Sequence, residues 1–549
     1  MDRPIPAALG EAVAPDYVDY LRDESRLAGQ AERICFPEGE EQAQRALKTW
    51  AEADSLVTVQ GARTGITGGA VPQGGCILNL SRMNRFLGLR RADAGAASID
   101  RAGEGGCYLL RLQPGVLLAE LNQVLQNRDL PASGWDEESL EALEQLRSDK
   151  AVFFPPDPTE ASASIGGMAA SNASGARSFG YGPTRKYIRS LRMLLADGCP
   201  VALHRGTPRA EGLRFRLDTG CGRTIAGDLP GYRMPGVKNA AGLFCRPGME
   251  LIDLVIGSEG TLGVITELEV LLVPRPEAIA GLMIFFPDEE AIIPFVSRLR
   301  GDQPTTGRLG EARNGEGGRL AAIELFDARA LELLSRQKTG NPTFAELPEI
   351  PSGQRSAVYV EVHGTEADER ILELSELLEE CGGDTGNTWL AESSKELERL
   401  KDFRHALPEA VNLIIDERRR RVPELTKLGT DMSVPDTALS RILERYRRDL
   451  AASELEYVMF GHIGANHIHV NILPRSIEEY REGRALYVQW AEEVVRLGGS
   501  VSAEHGIGKL KTDLLRLMYG DAGIREMRRL IESFNPGQRL NRGNMIGTL

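Results

Sequence analysis

The chain has 549 residues and a net charge of −14, with 42% apolar and 26% charged residues. This length exceeds what one hydrophobic core normally supports, so we expect a globular protein of two or more domains. A nucleic-acid partner is not expected, because the one dense basic run, at 418–421, is typical of a solvated helix face.

The cysteine pattern indicates unpaired thiols rather than a metal cluster or a disulfide framework. The seven cysteines are scattered and form no Cys-x-x-Cys pair, which favours a reducing compartment and argues against an iron–sulfur module. The chain begins without an apolar stretch after a basic start, and it has no apolar run of about 18 residues. We therefore expect a cytoplasmic protein, and leave open a peripheral contact at the inner membrane face or between identical copies.

The first half of the chain alternates short helices and strands. Apolar periodicity predicts helices from residue 41, from 113 to about 126 and over 137–150, and strands over 56–59 and 76–80. Residues 204–248 are rich in Gly, Pro and Arg, and predict a long irregular excursion. A strand near 270–273 is followed by Pro274 and Pro276, where we place a domain boundary.

The second half predicts an α+β domain. Its strands are expected at 281–286, 321–326 and 357–362, and its helices at 290–299 and 368–381, with a polar loop over 301–318. A final helix is predicted over 512–534. Strands that alternate with helices bearing long polar faces favour this fold class.

Three segments rich in glycine and other small residues suggest a bound ligand. Residues 60–69 follow a predicted strand, and glycines there allow backbone N–H groups to surround a phosphate, with Thr64 and Thr67 as further donors. The segment matches neither the Rossmann nor the P-loop pattern. Residues 163–175 and 257–266 have similar character. A plain turn or tight helix–strand packing would explain any one segment; all three together favour a large, flat, phosphorylated ligand.

Eight motifs carry a resemblance to a known family. The sequences GARTGITGGAVP, PPDPTEASASIGGMAASNASG, LLADG and GSEGTLGVIT resemble, in order, the flavin-binding domain of the vanillyl-alcohol-oxidase/PCMH superfamily over residues 36–276. The sequences GTDMSVP, GHIGANHIHVN, SAEHGIGK and LNRGN are similar to its D-lactate/D-2-hydroxyglutarate dehydrogenase branch, which is also glycolate oxidase-like.

The resemblance implies an α+β fold in four parts. These are an N-terminal helical extension at 1–29, a two-subdomain PCMH-type FAD-binding domain at 30–276 with an insertion at about 204–248, a ferredoxin-like α+β cap domain for substrate at 277–500, and a C-terminal helical segment at 501–549 that returns to the flavin.

The resemblance also implies FAD. It should be non-covalent, because no histidine precedes residue 200 to form the covalent link that some superfamily members have. The implied pyrophosphate residues are Gly61, Arg63, Thr64, Gly65, Ile66 and Thr67. Those implied for the ribityl chain and ring are Pro156, Asp157, Thr159, Gly166, Gly167 and Asn172, with Ile265 nearer the adenine and Asn541 from the returning C-terminus.

Histidines are crowded into one short segment. Three of the chain's seven lie within the eight positions 462–469, and His505 follows beside Glu504. If 467–472 is a strand, His467, His469 and Asn471 share the face opposite its apolar residues. Two imidazoles and a carboxylate make a divalent-metal site, for which Zn²⁺ is favoured and Mn²⁺, Fe²⁺ or Co²⁺ remain open. The residues alone do not say which two histidines bind.

The resemblance selects His462, His469 and Glu504 as the metal ligands, and leaves His467 behind them or on the substrate side. It implies a D-2-hydroxy acid substrate whose hydroxyl and carboxylate the metal would chelate, with His505 taking the hydroxyl proton and the C2 hydride passing to flavin N5. Arg404 would pair with the substrate carboxylate, and Asn471 would contact the substrate or the flavin edge. The turn Ala465-Asn466 departs from the aspartate and glycine of many relatives, and Lys427 is displaced by two residues from an expected lysine, so it receives no role.

Two other functions remain open at this point. One is a superfamily flavin oxidase or transferase acting on another alcohol, and the other is a non-catalytic metal-binding scaffold with a vestigial flavin site. In the dehydrogenase interpretation, electrons leave reduced FAD for a separate acceptor: a quinone, a cytochrome, an electron-transfer flavoprotein or a partner subunit. The excursion at 204–248 is a candidate surface for docking it.

Overall fold

The structure is a computed structural model that describes residues 10–92, 106–301, 318–340, 342, 345–365 and 367–547. Most of the predicted polar loop at 301–318, and the first residues of the N-terminal extension, lie outside this part of the chain. Within the described extension, residues Pro15–Leu21 form a 3-10 helix.

The first half contains twelve strands and six helices among the described residues. The strands are β1 (Glu11–Ala12), β2 (Arg33–Cys35), β3 (Val57–Gln60), β4 (Cys76–Asn79), β5 (Phe86–Arg91), β6 (Tyr108–Leu112), β7 (Val152–Phe153), β8 (Ile188–Leu194), β9 (Pro200–His204), β10 (Arg214–Asp218), β11 (Thr224–Asp228) and β12 (Val264–Pro274). The helices are α1 (Glu40–Glu52), α2 (Leu118–Asn127), α3 (Glu137–Ser148), α4 (Ile165–Ser171), α5 (Ser178–Tyr181) and α6 (Ile252–Val255).

Two sheets organise this half. The smaller has the order β1-β2-β4-β3, and β4 runs parallel to β2 and β3. The larger has the order β5-β6-β12-β8-β9, with β7 paired to the end of β12. The long strand β12 lies between β6 and β8, and nearly all of its residues are buried. Buried backbone N–H and C=O groups need hydrogen-bond partners, and a strand on each edge of β12 supplies them.

The excursion at 204–248 is more regular than its composition predicted. It contains the antiparallel hairpin β10–β11. Cys221, in the turn of this hairpin, forms a disulfide with Cys199. The expectation that all cysteines are free thiols is therefore wrong for this pair. The other five cysteines are in no disulfide: Cys35, Cys76, Cys107, Cys245 and Cys381.

The second half is built on one eight-stranded sheet. Its strands are β13 (Ile279–Phe286), β14 (Arg319–Phe326), β15 (Ser356–His363), β16 (Thr388–Ala391), β17 (Leu428–Gly429), β18 (Met432–Ser433), β19 (Tyr457–His462) and β20 (His467–Ile472). Its helices are α7 (Ile292–Leu299), α8 (Ala328–Gly340), α9 (Ala367–Glu380), α10 (Ser394–Arg419), α11 (Leu439–Ala452), α12 (Ile477–Arg496) and α13 (Thr512–Phe534). The strand order is β16-β13-β15-β14-β19-β20-β17, with β18 on β20.

After α13 the chain returns to the first sheet. The Val57 N–H donates to Arg539 O at 2.8 Å, and the Asn541 N–H donates to Val57 O at 2.9 Å. The C-terminal residues thus lie beside β3, directly before the first glycine segment. Among the described residues, no helix has the length and apolar character needed to cross a bilayer.

Candidate flavin and metal site

A cavity of about 2070 Å³ contains both the glycine segments and the histidine cluster. Most residues predicted for the site line it: Gly61, Arg63, Thr64, Gly65, Ile66, Thr67, Asp157, Thr159, Gly166, Gly167, Ile265, Asn541, Arg404, Asn471, His462, His469, Glu504 and His505. Pro156 and Asn172 are not among the lining residues. The Asn172 side chain instead accepts the Arg185 N–H at 3.0 Å, because Asn172 ends α4 in the left-handed conformation and points back into the protein.

The first glycine segment is tightly packed at Gly61 and open at Gly65. A Cβ on Gly61 would lie 2.3 Å from Ser164 Oγ, so this residue allows β3 to approach the start of α4. Ser164 caps that helix by accepting the Gly167 N–H at 3.3 Å. A Cβ on Gly65 would meet no atom within 4 Å, so Gly65 faces free space in the cavity.

Asn541 ties two of the loops together. Its side-chain oxygen accepts the Val59 N–H at 2.7 Å, and its side-chain nitrogen donates to Glu259 O at 2.8 Å. The Glu259 carboxylate in turn accepts the N–H groups of Ile507 at 2.6 Å and Gly508 at 2.8 Å. Asn541 therefore links the end of β3 to the third glycine segment, and Glu259 links that segment to the one that carries His505.

The two predicted histidine ligands converge on one carboxylate. Strands β19 and β20 are antiparallel, and Asn466 closes their turn in the left-handed conformation at φ 51°, which asparagine tolerates. His462 Nε2 lies 3.3 Å from Glu504 Oε2, and His469 Nε2 lies 3.3 Å from Glu504 Oε1. These residues and His467 offer ligand atoms that all lie within 4.8 Å of one another.

The far side of each imidazole is held by a second group. His462 Nδ1 contacts the buried Glu324 carboxylate, and His469 Nδ1 lies 2.8 Å from Thr430 O. Both contacts direct Nε2 toward Glu504, as outer contacts do for histidine ligands in metal proteins. Burial and Lys238 lower the pKa of His462, but Glu324 and Glu504 outweigh them and raise it to about 9.

His467 lies behind the ligands rather than in the cavity. It is fully buried, with Nε2 3.1 Å from Asp431 Oδ1 and Nδ1 3.9 Å from Glu504 Oε2. Neither ring nitrogen makes a hydrogen bond of good geometry. Burial and the neighbouring His469 lower the pKa of His467 well below its ordinary value, so the ring is neutral.

His505 stands between two carboxylates. Its Nδ1 lies 3.4 Å from Asp431 Oδ2, and its Nε2 lies 3.3 Å from Glu504 Oε1. Asp431 is fully buried and also accepts the N–H groups of Glu504 and His505, each at 3.1 Å. Burial raises the pKa of Asp431, but His505 and Lys511 outweigh it and hold it well below its ordinary value. Asp431 therefore fixes both the backbone and the imidazole at this position.

Arg404 is more constrained than predicted. Its guanidinium donates to Glu324 at 2.8 Å and lies 4.4 Å from the centre of the Tyr359 ring. One edge of the fork is therefore already occupied. Arg404 Nε and Asn471 Nδ2 are buried without hydrogen-bond partners, although both residues line the cavity.

Three residues that act on the predicted site had no role assigned from sequence: Glu324, Asp431 and Lys238. Glu324 could have been noticed as the one charged residue inside the apolar strand Ala-Ala-Ile-Glu-Leu-Phe, and Asp431 belongs to the GTDMSVP motif. Lys238 lies in the excursion, and no local signal distinguished it; its Nζ lies 2.6 Å from Glu504 Oε2.

Two known protein families match most of this chain. Residues 31–133 and 138–203 match the family described as FAD binding domain, and residues 275–545 match the one described as FAD linked oxidases, C-terminal domain. These matches cover the first two glycine segments and the histidine cluster, and the third glycine segment, at 257–266, lies between them.

Curated relatives align over nearly the whole chain. A D-lactate dehydrogenase of Anaerostipes hadrus is 25% identical over 96% of this chain and 92% of its own length. A D-2-hydroxyglutarate dehydrogenase of Stutzerimonas stutzeri (strain A1501) is 26% identical over 93% and 90%. The glycolate oxidase subunit GlcD of Bacillus subtilis (strain 168) is 24% identical over 93% of this chain and 88% of its own length.

Solved structures show the same fold at low identity. A p-cresol methylhydroxylase with substrate bound has a TM-score of 0.62 at 14% identity, covering 98% of this chain and 94% of its own. An alkyldihydroxyacetonephosphate synthase has a TM-score of 0.57 at 14% identity, covering 94% and 76%. The predicted resemblance and α+β fold class are thereby confirmed. The chain belongs to the family of FAD-linked oxidoreductases that includes the D-lactate and D-2-hydroxyglutarate dehydrogenases.

Proposed function

We propose that the protein oxidises a D-2-hydroxy acid to the 2-oxo acid, with non-covalent FAD as hydride acceptor and a divalent metal, most suitably Zn²⁺, on His462, His469 and Glu504. The observation that carries the proposal is the convergence of two imidazole Nε2 atoms on one buried carboxylate. This convergence occurs in the same cavity as the glycine segments.

The cavity fits FAD. Its volume of about 2070 Å³ exceeds that of a site for a small acid alone. Gly65 presents bare backbone to free space, as a pyrophosphate-binding loop requires, and Thr64 and Thr67 line the same surface. When bound there, the isoalloxazine supplies an acceptor for a hydride.

The histidine cluster fits a divalent metal. Two imidazole nitrogens and one carboxylate are the ligand types of Zn²⁺ sites that keep a position open, and the outer contacts from Glu324 and Thr430 are in place. A dication at this point supplies Lewis acidity that makes a substrate hydroxyl easier to deprotonate.

The chain's own residues then have separate tasks. His505 receives the hydroxyl proton at Nε2, since its Nδ1 is turned toward Asp431. Glu324 occupies one edge of the Arg404 guanidinium. The remaining N–H groups of Arg404 donate to the substrate carboxylate. Asn471 offers an unpartnered amide nitrogen to the substrate or the flavin edge.

A substrate panel tests this function. Purified, flavin-loaded protein is assayed with D- and L-2-hydroxy acids and an artificial dye as acceptor, with and without a chelator. We expect the dye to be reduced with D-acids alone, and chelation to stop it. A yellow protein that oxidises other alcohols and ignores the chelator would favour the oxidase or transferase alternative, and a colourless folded protein would favour the scaffold. The physiological acceptor remains one of the separate carriers named above.

We also propose that the flavin part ends near residue 276 and that a cap domain for substrate follows. Support comes from sheet membership: β12 ends at Pro274 in the six-stranded sheet, and β13 begins at Ile279 in the eight-stranded one. Limited proteolysis that releases stable fragments cut near this point would support the division, and one fragment spanning it would contradict it.

A Gly65→Ala substitution tests the pyrophosphate position. Because the added methyl group meets no protein atom within 4 Å, the FAD-free protein should keep its Tm. The methyl group would instead occupy space needed by the ligand, so we expect FAD to bind at least about tenfold more weakly, measured by fluorescence titration. Gly340→Ala, at another open glycine outside the cavity lining, is the control. Unchanged FAD affinity in Gly65→Ala would place the ligand elsewhere.

A Glu324→Gln substitution tests the outer contact of His462. It keeps the shape of the side chain but removes the charge that orients the imidazole, so metal affinity should fall by roughly 10- to 100-fold. The measurement is calorimetric titration of Zn²⁺ into chelator-treated protein. The control is Glu361→Gln, which removes a similarly buried carboxylate bonded to His363 on the neighbouring strand β15. Equal metal affinity in the two variants would show that Glu324 does not position His462.

A further inference from the structure

The segment around Lys238 is anchored against the strands of the histidine cluster. Ser433 Oγ donates to Lys238 O at 2.6 Å, and the Ala240 N–H donates to Ser502 O at 2.8 Å. Ser500 Oγ also contacts Asn239 Oδ1 at 2.5 Å. This part of the predicted surface excursion is therefore a fixed element of the site, next to the segment that carries Glu504.

Lys238 places its ammonium on the candidate metal ligand. Its Nζ lies 2.6 Å from Glu504 Oε2, and the two side chains are only 10% and 9% exposed. Glu504 lines the cavity, whereas Lys238 is not among the lining residues. The ammonium thus reaches the carboxylate from within the protein, leaving the cavity side of Glu504 to His469 and His505.

The charge balance explains why a cation is needed there. A buried carboxylate without a counter-charge is costly, and the Glu504 side chain is only 9% exposed. Lys238 Nζ lies 2.6 Å from Glu504 Oε2, closer than the 3.3 Å that separates the Nε2 atoms of His462 and His469 from this carboxylate. Lys238 thereby supplies a counter-charge for Glu504 in the protein without metal.

We propose that Lys238 is the cation Glu504 holds in the metal-free protein, and that a divalent metal displaces this ammonium when it binds. The proposal rests on the proposed metal site. A zinc ion sits about 2.0–2.2 Å from a carboxylate oxygen, where it would compete with the ammonium for the same lone pairs and repel it in a buried setting. Lys238 therefore stabilises the site before the metal binds, and it lowers the affinity of that site for the metal.

The test is Lys238→Met, which keeps the length of the side chain and removes its charge. With Zn²⁺ titrated into chelator-treated, FAD-loaded protein, we expect Kd to fall at least about tenfold relative to wild type. The metal-free variant should have a lower Tm than the metal-free wild type, and Zn²⁺ should restore it. If folded Lys238→Met protein can be purified only when Zn²⁺ is supplied, that requirement is itself the expected loss of stability without metal. If it cannot be purified even with Zn²⁺, the proposal is overturned.

Two further variants separate the charge from general damage. Lys238→Arg keeps the cation and should bind Zn²⁺ no more tightly than wild type. Lys338→Met removes another buried lysine, which pairs with Glu349 outside the cavity lining, and should leave Kd unchanged. Unchanged or weaker Zn²⁺ binding in Lys238→Met, or tight binding in Lys238→Arg, would overturn the proposal. If wild type and all variants fail to bind Zn²⁺, the proposed metal function itself fails.

Discussion

Replacing His505 by alanine should lower kcat by roughly 10²- to 10⁴-fold, the range typical for loss of a general base, while FAD stays bound. The expected cause is specific to this side chain. Asp431 holds its Nδ1, so its Nε2 is the nitrogen directed to Glu504 and the cavity. The measurement is steady-state turnover with a dye acceptor, together with the visible absorbance of the flavin.

The His505 experiment needs a control for metal loss, because His505 lies 3.3 Å from the candidate ligand Glu504. Bound metal should therefore be quantified in wild type and variant, and turnover compared at equal metal content. His505→Gln is the matched variant: its amide can still contact Asp431 but cannot take a proton, so it should be as inactive as His505→Ala. Near-normal kcat in either variant with metal and FAD present would assign the base to another residue.

Removing the metal should abolish most activity without releasing the flavin. Lewis-acid activation contributes several kcal/mol to a reaction of this kind, so exhaustive chelation should lower kcat/KM by about 10³-fold or more, and added Zn²⁺ should restore it. His469→Ala should reproduce the loss, because it removes one of the two nitrogens that face Glu504. Turnover and flavin absorbance are measured on the same samples.

An exposed histidine provides the comparison for that variant. His204 lies at the end of β9 and does not line the cavity, so His204→Ala should keep both activity and bound metal. If chelated protein or His469→Ala turns over at the wild-type rate, the metal has no part in the reaction. The histidine cluster would then be a structural polar network, and His505 with Arg404 would have to carry the chemistry alone.

The contacts of Arg404 affect how the carboxylate of the proposed substrate would be recognised. One edge of the guanidinium is committed to Glu324, and that same carboxylate contacts His462. A substrate carboxylate bound to Arg404 would therefore contact a side chain that is connected, through Glu324, to the candidate metal ligand His462. In the proposed function, Glu324 would thus link recognition of the acid by Arg404 to the orientation of His462.

The sequence alone determined which parts of the chain form the candidate site. Glycine spacing after β3, small residues before and within α4, and alternation along β20 are local patterns, because backbone conformation and side-chain direction depend on near neighbours. They were sufficient, with the family resemblance, to select His462, His469, Glu504 and His505, which the structure brings into one cavity. The hairpin in the excursion and the disulfide were missed, since short polar strands carry little apolar periodicity.

Only the tertiary structure decided what surrounds those residues. Glu324 contacts His462 across 138 positions of sequence, and Lys238 reaches Glu504 across 266. Such contacts depend on how strands pair and where the excursion packs, and no local pattern records them. Buried charges must find partners wherever the fold places them, so the cation beside Glu504 and the carboxylate behind His462 became visible only when the sheets were assembled.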